Sequence, residues 1–454
     1  MSTSKNYRAA AVLLLALALA AIAYALSASQ ERVAIQGPSA LAVLPDRSVW
    51  LAVEDRLWHL DAEGHRQAVV TPREHGVQGL IANLVLHPNG QLVASVRDDP
   101  DLYFLDAATG LPRGRVRPVW PQDLARHGDR AITYAFHPDG RIAISTGGGH
   151  AVALFDAAGR FIARTVPGLY EFSNGLWWSG DRLWTTDTNR PALVELDGRT
   201  LAQLSRVSLR GGENGWRYLG MATGPSAAAA PGTELGSVVR FANGMIRGHV
   251  VQVLRSGEQR PYPVSGAMEP RDLKWRGDEL LVVDGARYEV ARYTRDRQPL
   301  PDFGDAAVRE ELAAGLQRRD LLQTRHGLAL SAAFACLLLG ALLAWRAQAL
   351  STAAATATAV EASPPGRVSP WPSARRQALA SLLVPGLGQW MQRRLRLALP
   401  LFLLWSVLLL AAVIPLAWTL WGPRAAVSPT YVLQVAVGYL VVCVVAAIDA
   451  LRHG

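Results

Sequence analysis

Apolar and polar positions follow two different patterns along this chain. Between Arg8 and Glu31 no charged residue occurs, and the stretch centres on AAAVLLLALALAAIAYAL. About 20 apolar residues suffice for a helix to cross the hydrocarbon of a bilayer. Residues 1–30 therefore predict a cytoplasmic tip and an N-terminal membrane anchor. A cleaved signal peptide is the alternative, with Ala25-Leu26-Ser27 as its mediocre cleavage site. Three more uncharged apolar runs follow at 327–345, 397–421 and 431–448. Together these runs predict four crossings.

The middle of the chain alternates instead. A short apolar run meets a tight turn, a second run follows, and a third ends near an Asp. The turns read Leu44-Pro45-Asp46, His87-Pro88-Asn89-Gly90, His137-Pro138-Asp139-Gly140, Ser179-Gly180-Asp181 and Arg276-Gly277-Asp278. Alternation bounded by such turns predicts short antiparallel strands. Asp46, Asn89, Asp139 and Asp181 are 43, 50 and 42 residues apart, and Asp181 to Asp278 is 97. The last gap is close to two units, so a degenerate copy is expected over 216–254. Six units of this length predict an all-β six-bladed β-propeller joined to α-helical transmembrane segments. Seven blades is the alternative, if 111–132 or 300–320 adds strands. His87 and His137 hold the same place in their units, which suggests a structural role.

The repeat resembles NHL-type repeats and the related SMP-30/gluconolactonase and strictosidine-synthase-like propellers. The nearest copy is Ser173-Asn174-Gly175-Leu176-Trp177-Trp178, then a turn, then Leu183-Trp184-Thr185-Thr186-Asp187. The resemblance covers residues ~35–300 and implies a fold more than an activity. The lactonases among these proteins hold a divalent metal at the channel mouth, through acidic or Asn residues at the starts of the inner strands. Oxygen ligands of that kind suit Ca2+. The matching positions here are Ser39, Ala82, Ile132, Asn174 and Arg271, of which only Asn174 fits. Glu171, Glu269 and Asp272 lie a few residues from their strands and are the other candidate metal ligands. Trp177 and Arg271 are candidate ligand-binding residues. No HExxH, GxSxG, P-loop or dinucleotide fingerprint occurs.

Charge refines the topology. The net charge is +9, and Arg346, Arg367, Arg375, Arg376, Arg393, Arg394 and Arg396 cluster beside the apolar runs. Basic residues so placed mark the cytoplasmic side, and no nucleic-acid-binding motif accompanies them. With Lys5 and Arg8 inside, residues 31–304 become an extracytoplasmic propeller. Residues 305–326 read as an amphipathic connecting helix, 327–346 as a transmembrane helix and 347–375 as a flexible cytoplasmic linker. Both cysteines, Cys336 and Cys443, sit in apolar runs, so no disulfide framework is expected.

Residues 376–454 hold a short Pro-Gly segment and a transmembrane hairpin. Pro385-Gly386-Leu387-Gly388-Gln389, with Asp449-Ala450 near the end, resembles a small bacterial membrane module of obscure role. The Pro-Gly segment at 378–391 is expected to be re-entrant or interfacial. The expected location is the bacterial inner membrane, with the propeller on the periplasmic side. The expected function is a binding or scaffold module for a protein or glycan ligand near the bilayer, and not an enzyme. A divalent-metal-dependent lactonase or esterase of the gluconolactonase type is the alternative.

Overall fold

The computed structural model describes residues 2–97, 99–122, 131–146, 150–209, 218–226, 233–241, 248–263 and 268–362. Two compact units result. One is Leu26–Gly327, and the other comprises the described residues outside that range.

Leu26–Gly327 contains six four-stranded antiparallel sheets, each made of four consecutive strands. Blade 1 is β1 (Pro38–Val43) to β4 (Arg66–Val70), and blade 2 is β5 (Ile81–Leu86) to β8 (Pro112–Val116). Blade 3 is β9 (Ala131–Phe136) to β12 (Phe161–Arg164), and blade 4 is β13 (Leu176–Ser179) to β16 (Gln203–Ser208). Blade 5 is β17 (Tyr218–Thr223) to β20 (Gln259–Pro261), and blade 6 is β21 (Pro270–Arg276) to β24 (Pro299–Leu300). The first strand of each blade meets its counterparts in neighbouring blades, so these strands are innermost.

Blade 5 occupies the position expected for the degenerate copy. No seventh sheet occurs among the described residues. Residues 112–116 form the outer strand of blade 2, and 299–300 the outer strand of blade 6.

Every blade is covered on both faces, which sets its side-chain pattern. Successive strand residues point to opposite faces, so Leu176 packs into the core between blades 3 and 4, and Trp177 into that between blades 4 and 5. The central strands are accordingly buried along their length, as in β2 (Val49–Val53) and β10 (Ile142–Thr146).

The turns between first and second strands repeat one construction. The Nδ1 of His87 accepts the Asn89 amide at 3.1 Å, and that of His137 accepts the Asp139 amide at 3.3 Å. Both rings act as turn braces.

Because each sheet is sequential, no exchanged strand closes the ring. A helix, α2 (Ala306–Ala362), takes that role. Val308, Leu312 and Leu322 bury against Leu51 and Trp58 of blade 1 and Val283, Tyr288 and Val290 of blade 6, with Leu316 partly buried beside them. The 308, 312, 316 spacing is one helical stripe. Glu311 pairs with Arg56 at 3.3 Å and also with Arg66. The chain turns into α2 through Gly304, whose φ of +115° is open mainly to glycine. Its backbone lies so close to Gly64 that a Cβ there would come within 2.7 Å of the Gly304 nitrogen.

The membrane expectation needs correction. Among the described residues two helices, not four, are long and apolar enough to cross a bilayer, over Ala9–Ala34 and Ala306–Ala344. The remaining expected crossings, 397–421 and 431–448, and the Pro-Gly segment lie outside the described residues. Connecting helix, second apolar run and the first part of the expected linker form one continuous α2. Residues 347–362 are rich in Ala, the best helix former, and contain neither Gly nor Pro. In the second unit α1 (Ser2–Ala34) and α2 approach closely at Gly340, where a Cβ would lie 3.4 Å from that of Leu14.

Candidate functional site

In each blade the inner strand starts at the same end of the ring, here termed the entry face. The turns between second and third strands share that face. First-to-second and third-to-fourth turns lie at the opposite end.

The sequence-derived candidates gather at the entry face in two equivalent constellations. The Glu171 amide donates to Asp187 Oδ1 at 2.9 Å, and the Glu269 amide to Asp284 Oδ1 at 2.9 Å. Asp187 and Asp284 end the second strands of blades 4 and 6 and are fully buried. Each acid carries an arginine partner: Arg190 stands 3.1 Å from Glu171, and Arg271 3.4 Å from Glu269. The hydrogen bond from Arg190 is the main reason the Glu171 carboxyl lies below the usual glutamate range.

Arg271 also donates to the carbonyls of Gln36 and Pro38, joining blade 6 to the entry of blade 1. Asp272 is buried and engaged. Its Oδ2 accepts the Leu41 amide at 2.9 Å, and its Oδ1 meets Lys274 Nζ at 2.5 Å. Asn174 is buried as well, its Nδ2 donating to Thr188 Oγ1 at 3.0 Å. Trp177 stacks on Trp184 with centroids 6.0 Å apart, inside the core between blades 4 and 5. Glu171, Glu269 and Asp272 do not converge into one three-acid group among the described residues.

A group of two acids and an imidazole does converge elsewhere. Asp61, Glu63 and His65 bring one ligand atom each to within 4.8 Å of one another. They form the turn between β3 (Arg56–Leu60) and β4 of blade 1, away from the entry face. Asp61 Oδ1 accepts the amides of Glu63 at 3.1 Å and His65 at 2.8 Å, while Oδ2 lies 3.2 Å from His65 Nδ1 and 2.8 Å from Gln67 Nε2. Desolvation pushes the Asp61 carboxyl up, but the His65 amide and ring and the Glu63 amide outweigh it and hold it below the usual aspartate range. An ionised carboxylate with an imidazole beside it is a ready ligand pair.

The same corner recurs in other blades as Asp106, Asp156 and Asp197, each accepting amides from its own turn. In two of them an arginine, Arg113 or Arg160, fills the cation's place. Among the described residues only blade 1 supplies an imidazole and a second acid there. Two carboxylates and a nitrogen suit Zn2+ or a similar transition ion. A calcium site takes oxygen ligands throughout. The Asp61-x-Glu63-x-His65 spacing was visible in the sequence, but it falls on an outer turn rather than in the inner-strand column.

No protein-family model matches the chain, and no curated protein matches it. Among solved structures it is similar to a streptogramin B lyase, at 14% identity and a TM-score of 0.40 over 60% of this chain and 83% of that one. It is also similar to selenomethionine-substituted virginiamycin B lyase from Staphylococcus aureus, at 13% identity and a TM-score of 0.40 over 60% and 85%. These are likenesses of fold. The expectation of a non-enzymatic module is corrected by the candidate metal centre at Asp61, Glu63 and His65, which gives the domain the means for metal-linked chemistry.

Proposed function

We propose that the chain is a membrane-tethered propeller enzyme whose activity depends on a divalent cation, acting on a lactone or ester. The carrying observation is the convergence of Asp61, Glu63 and His65. A cation held by them would polarise an ester carbonyl or acidify a bound water. Gln67 and the turn amides orient Asp61 for that task. The exposure of Glu63 and His65 leaves room for a substrate oxygen or water.

The entry face contributes a second set of groups. Glu171, Glu269 and Asp272, with Asn174, are the proposed alternative cation ligands. Arg271, with Trp177 packed behind the same face, is the proposed ligand-binding pair. A protein or glycan bound there is the second reading, favoured by the arginine partners that already occupy Glu171 and Glu269. The charge pattern around the apolar runs supports a bacterial inner membrane location with the propeller outside the cytoplasm.

The test is calorimetric titration of Zn2+, Mn2+ and Ca2+ into the purified full chain, alongside a panel of aryl esters and lactones. One cation should bind with micromolar affinity, and His65→Ala or Asp61→Ala should weaken binding at least tenfold. Hydrolysis should stop on chelation and in both variants. Hydrolysis that persists in both variants would sink the assignment to this turn. A Ca2+-dependent rise in Tm lost in Asn174→Ala would move the cation to the entry face.

A further inference from the structure

The loop between β12 and β13, residues 165–175, exposes a cluster of apolar side chains. Val166 is 68% exposed, and Leu169 and Phe172 are each 40% exposed. Val166 and Leu169 flank a Pro167-Gly168 turn closed by the Leu169 amide on the Val166 carbonyl at 3.1 Å, with Gly168 at φ +75°. Tyr170, between the exposed residues, is fully buried, and its hydroxyl meets Gln203 Oε1 at 3.3 Å. The loop is thus anchored by one aromatic while its neighbours point outward. Phe172 adopts φ +55°, a costly left-handed conformation for an aromatic. Its ring stands edge-on to His150 at 4.5 Å.

This loop lies on the entry face, where α1 ends and where α2, which starts beside Gly64 at the opposite end, passes the blade 6 turn before its apolar run. Ile35, just past α1, accepts a 2.6 Å hydrogen bond from the hydroxyl of Tyr288, in the blade 6 entry-face turn. Arg319 of α2 donates to Gly285 in that same turn at 3.3 Å. The first-to-second turn tips at the opposite face are acidic or polar, Asp46, Asn89, Asp139, Asp181 and Asp278, and the Asp181 side chain is 74% exposed. Anionic tips avoid a lipid surface, whereas an apolar turn with Arg190 bonded to its Gly168 carbonyl suits the headgroup boundary.

We infer that the Val166–Phe172 loop inserts its Val, Leu and Phe side chains into the interfacial layer of the bilayer. It thereby forms a third membrane contact, across the ring from the two helical tethers. The inference rests on α1 and α2 spanning that bilayer. A lipid surface is the occupant because α1 reaches the propeller at this face and α2 passes it at Arg319 just before its apolar run, both helices being of membrane-spanning length.

The test uses the full chain in nanodiscs of phosphatidylcholine and phosphatidylglycerol, with Cys443→Ser throughout and an environment-sensitive fluorophore on one cysteine at a time. In Cys336→Ser backgrounds the label is placed by Val166→Cys, Leu169→Cys or, as control, Asp181→Cys. Retained Cys336 reports α2 itself. Labels at 166 and 169 should be quenched by doxyl-labelled lipid at least threefold more than the label at 181, and be shielded from aqueous iodide. Quenching equal to that at 181 would overturn the inference, and so would shielding from both quenchers, which means a protein covers the loop. Failure of the Cys336 label to be quenched would overturn the span reading, and the inference with it.

Discussion

Glu289 and Asp302 face each other beside Asp284 and Arg287 at the outer part of blade 6. Burial first, and then the negative charge of Asp302, push the Glu289 carboxyl up to about 7. Its ion pair with Arg287 at 2.7 Å opposes this without reversing it, because the side chain is only 22% exposed. A raised carboxyl stabilises the fold fully below the ordinary glutamate range, and that contribution is lost as pH rises through about 7. Stability should therefore fall by roughly 2 kcal/mol between pH 5 and 8. Glu289→Gln should flatten the decline, as read by denaturant unfolding monitored through tryptophan fluorescence. An unchanged slope in the variant would show that other groups set it. The contrast with Asp61 is instructive: a half-buried carboxyl receiving turn amides is held low, and one buried beside another acid is held high.

At the scale of elements, the ring closure rests on α2. Truncating Leu312 to Ala removes a buried side chain from the core shared by α2, blade 1 and blade 6, at an expected cost of about 2–4 kcal/mol. Hydrogen exchange should rise first in β1 and β21, the inner strands that meet across the seam, while blades 3 and 4 stay protected. Uniform loss of protection would instead mean that the blades unfold as one unit. Blades 1 to 4 and blade 6 were legible in the sequence because each carries its turn residues at the expected spacing. Blade 5 was legible only as a gap of two units. Its β18 (Glu234–Phe241) and β19 (Gly248–Leu254) are longer than most strands of the ring, and no Pro-Asx-Gly turn marks them. The clasp was not legible. Residues 308–322 show a helical stripe, but nothing local says that its partner is a seam formed by residues near 50 and 285.

The molecule as a whole joins a six-bladed propeller to two apolar helices of membrane-spanning length. The proposed orientation, with the propeller outside the cytoplasm, follows from the basic residues flanking those helices and can be tested directly. Arg297→Cys, at the tip of a blade 6 turn and partly exposed, should react with a membrane-impermeant maleimide in intact cells. Labelling only after lysis would reverse the orientation.

Local chemistry, read from the sequence alone, determined the repeat, its strand pattern and the apolar helices. Turn residues, period-two alternation and uninterrupted apolar runs each act within a few positions of the chain. Only the tertiary structure decided what those residues meet. It placed Trp177 in a core, engaged Asp272 with the Leu41 amide, and gave Glu171 and Glu269 arginine partners. It also drew Asp61, Glu63 and His65 together on an outer turn. Metal binding depends on the convergence of ligand atoms and on what else those atoms already bond. Folding fixes both, bringing blade 6 against blade 1 and each turn onto its own aspartate.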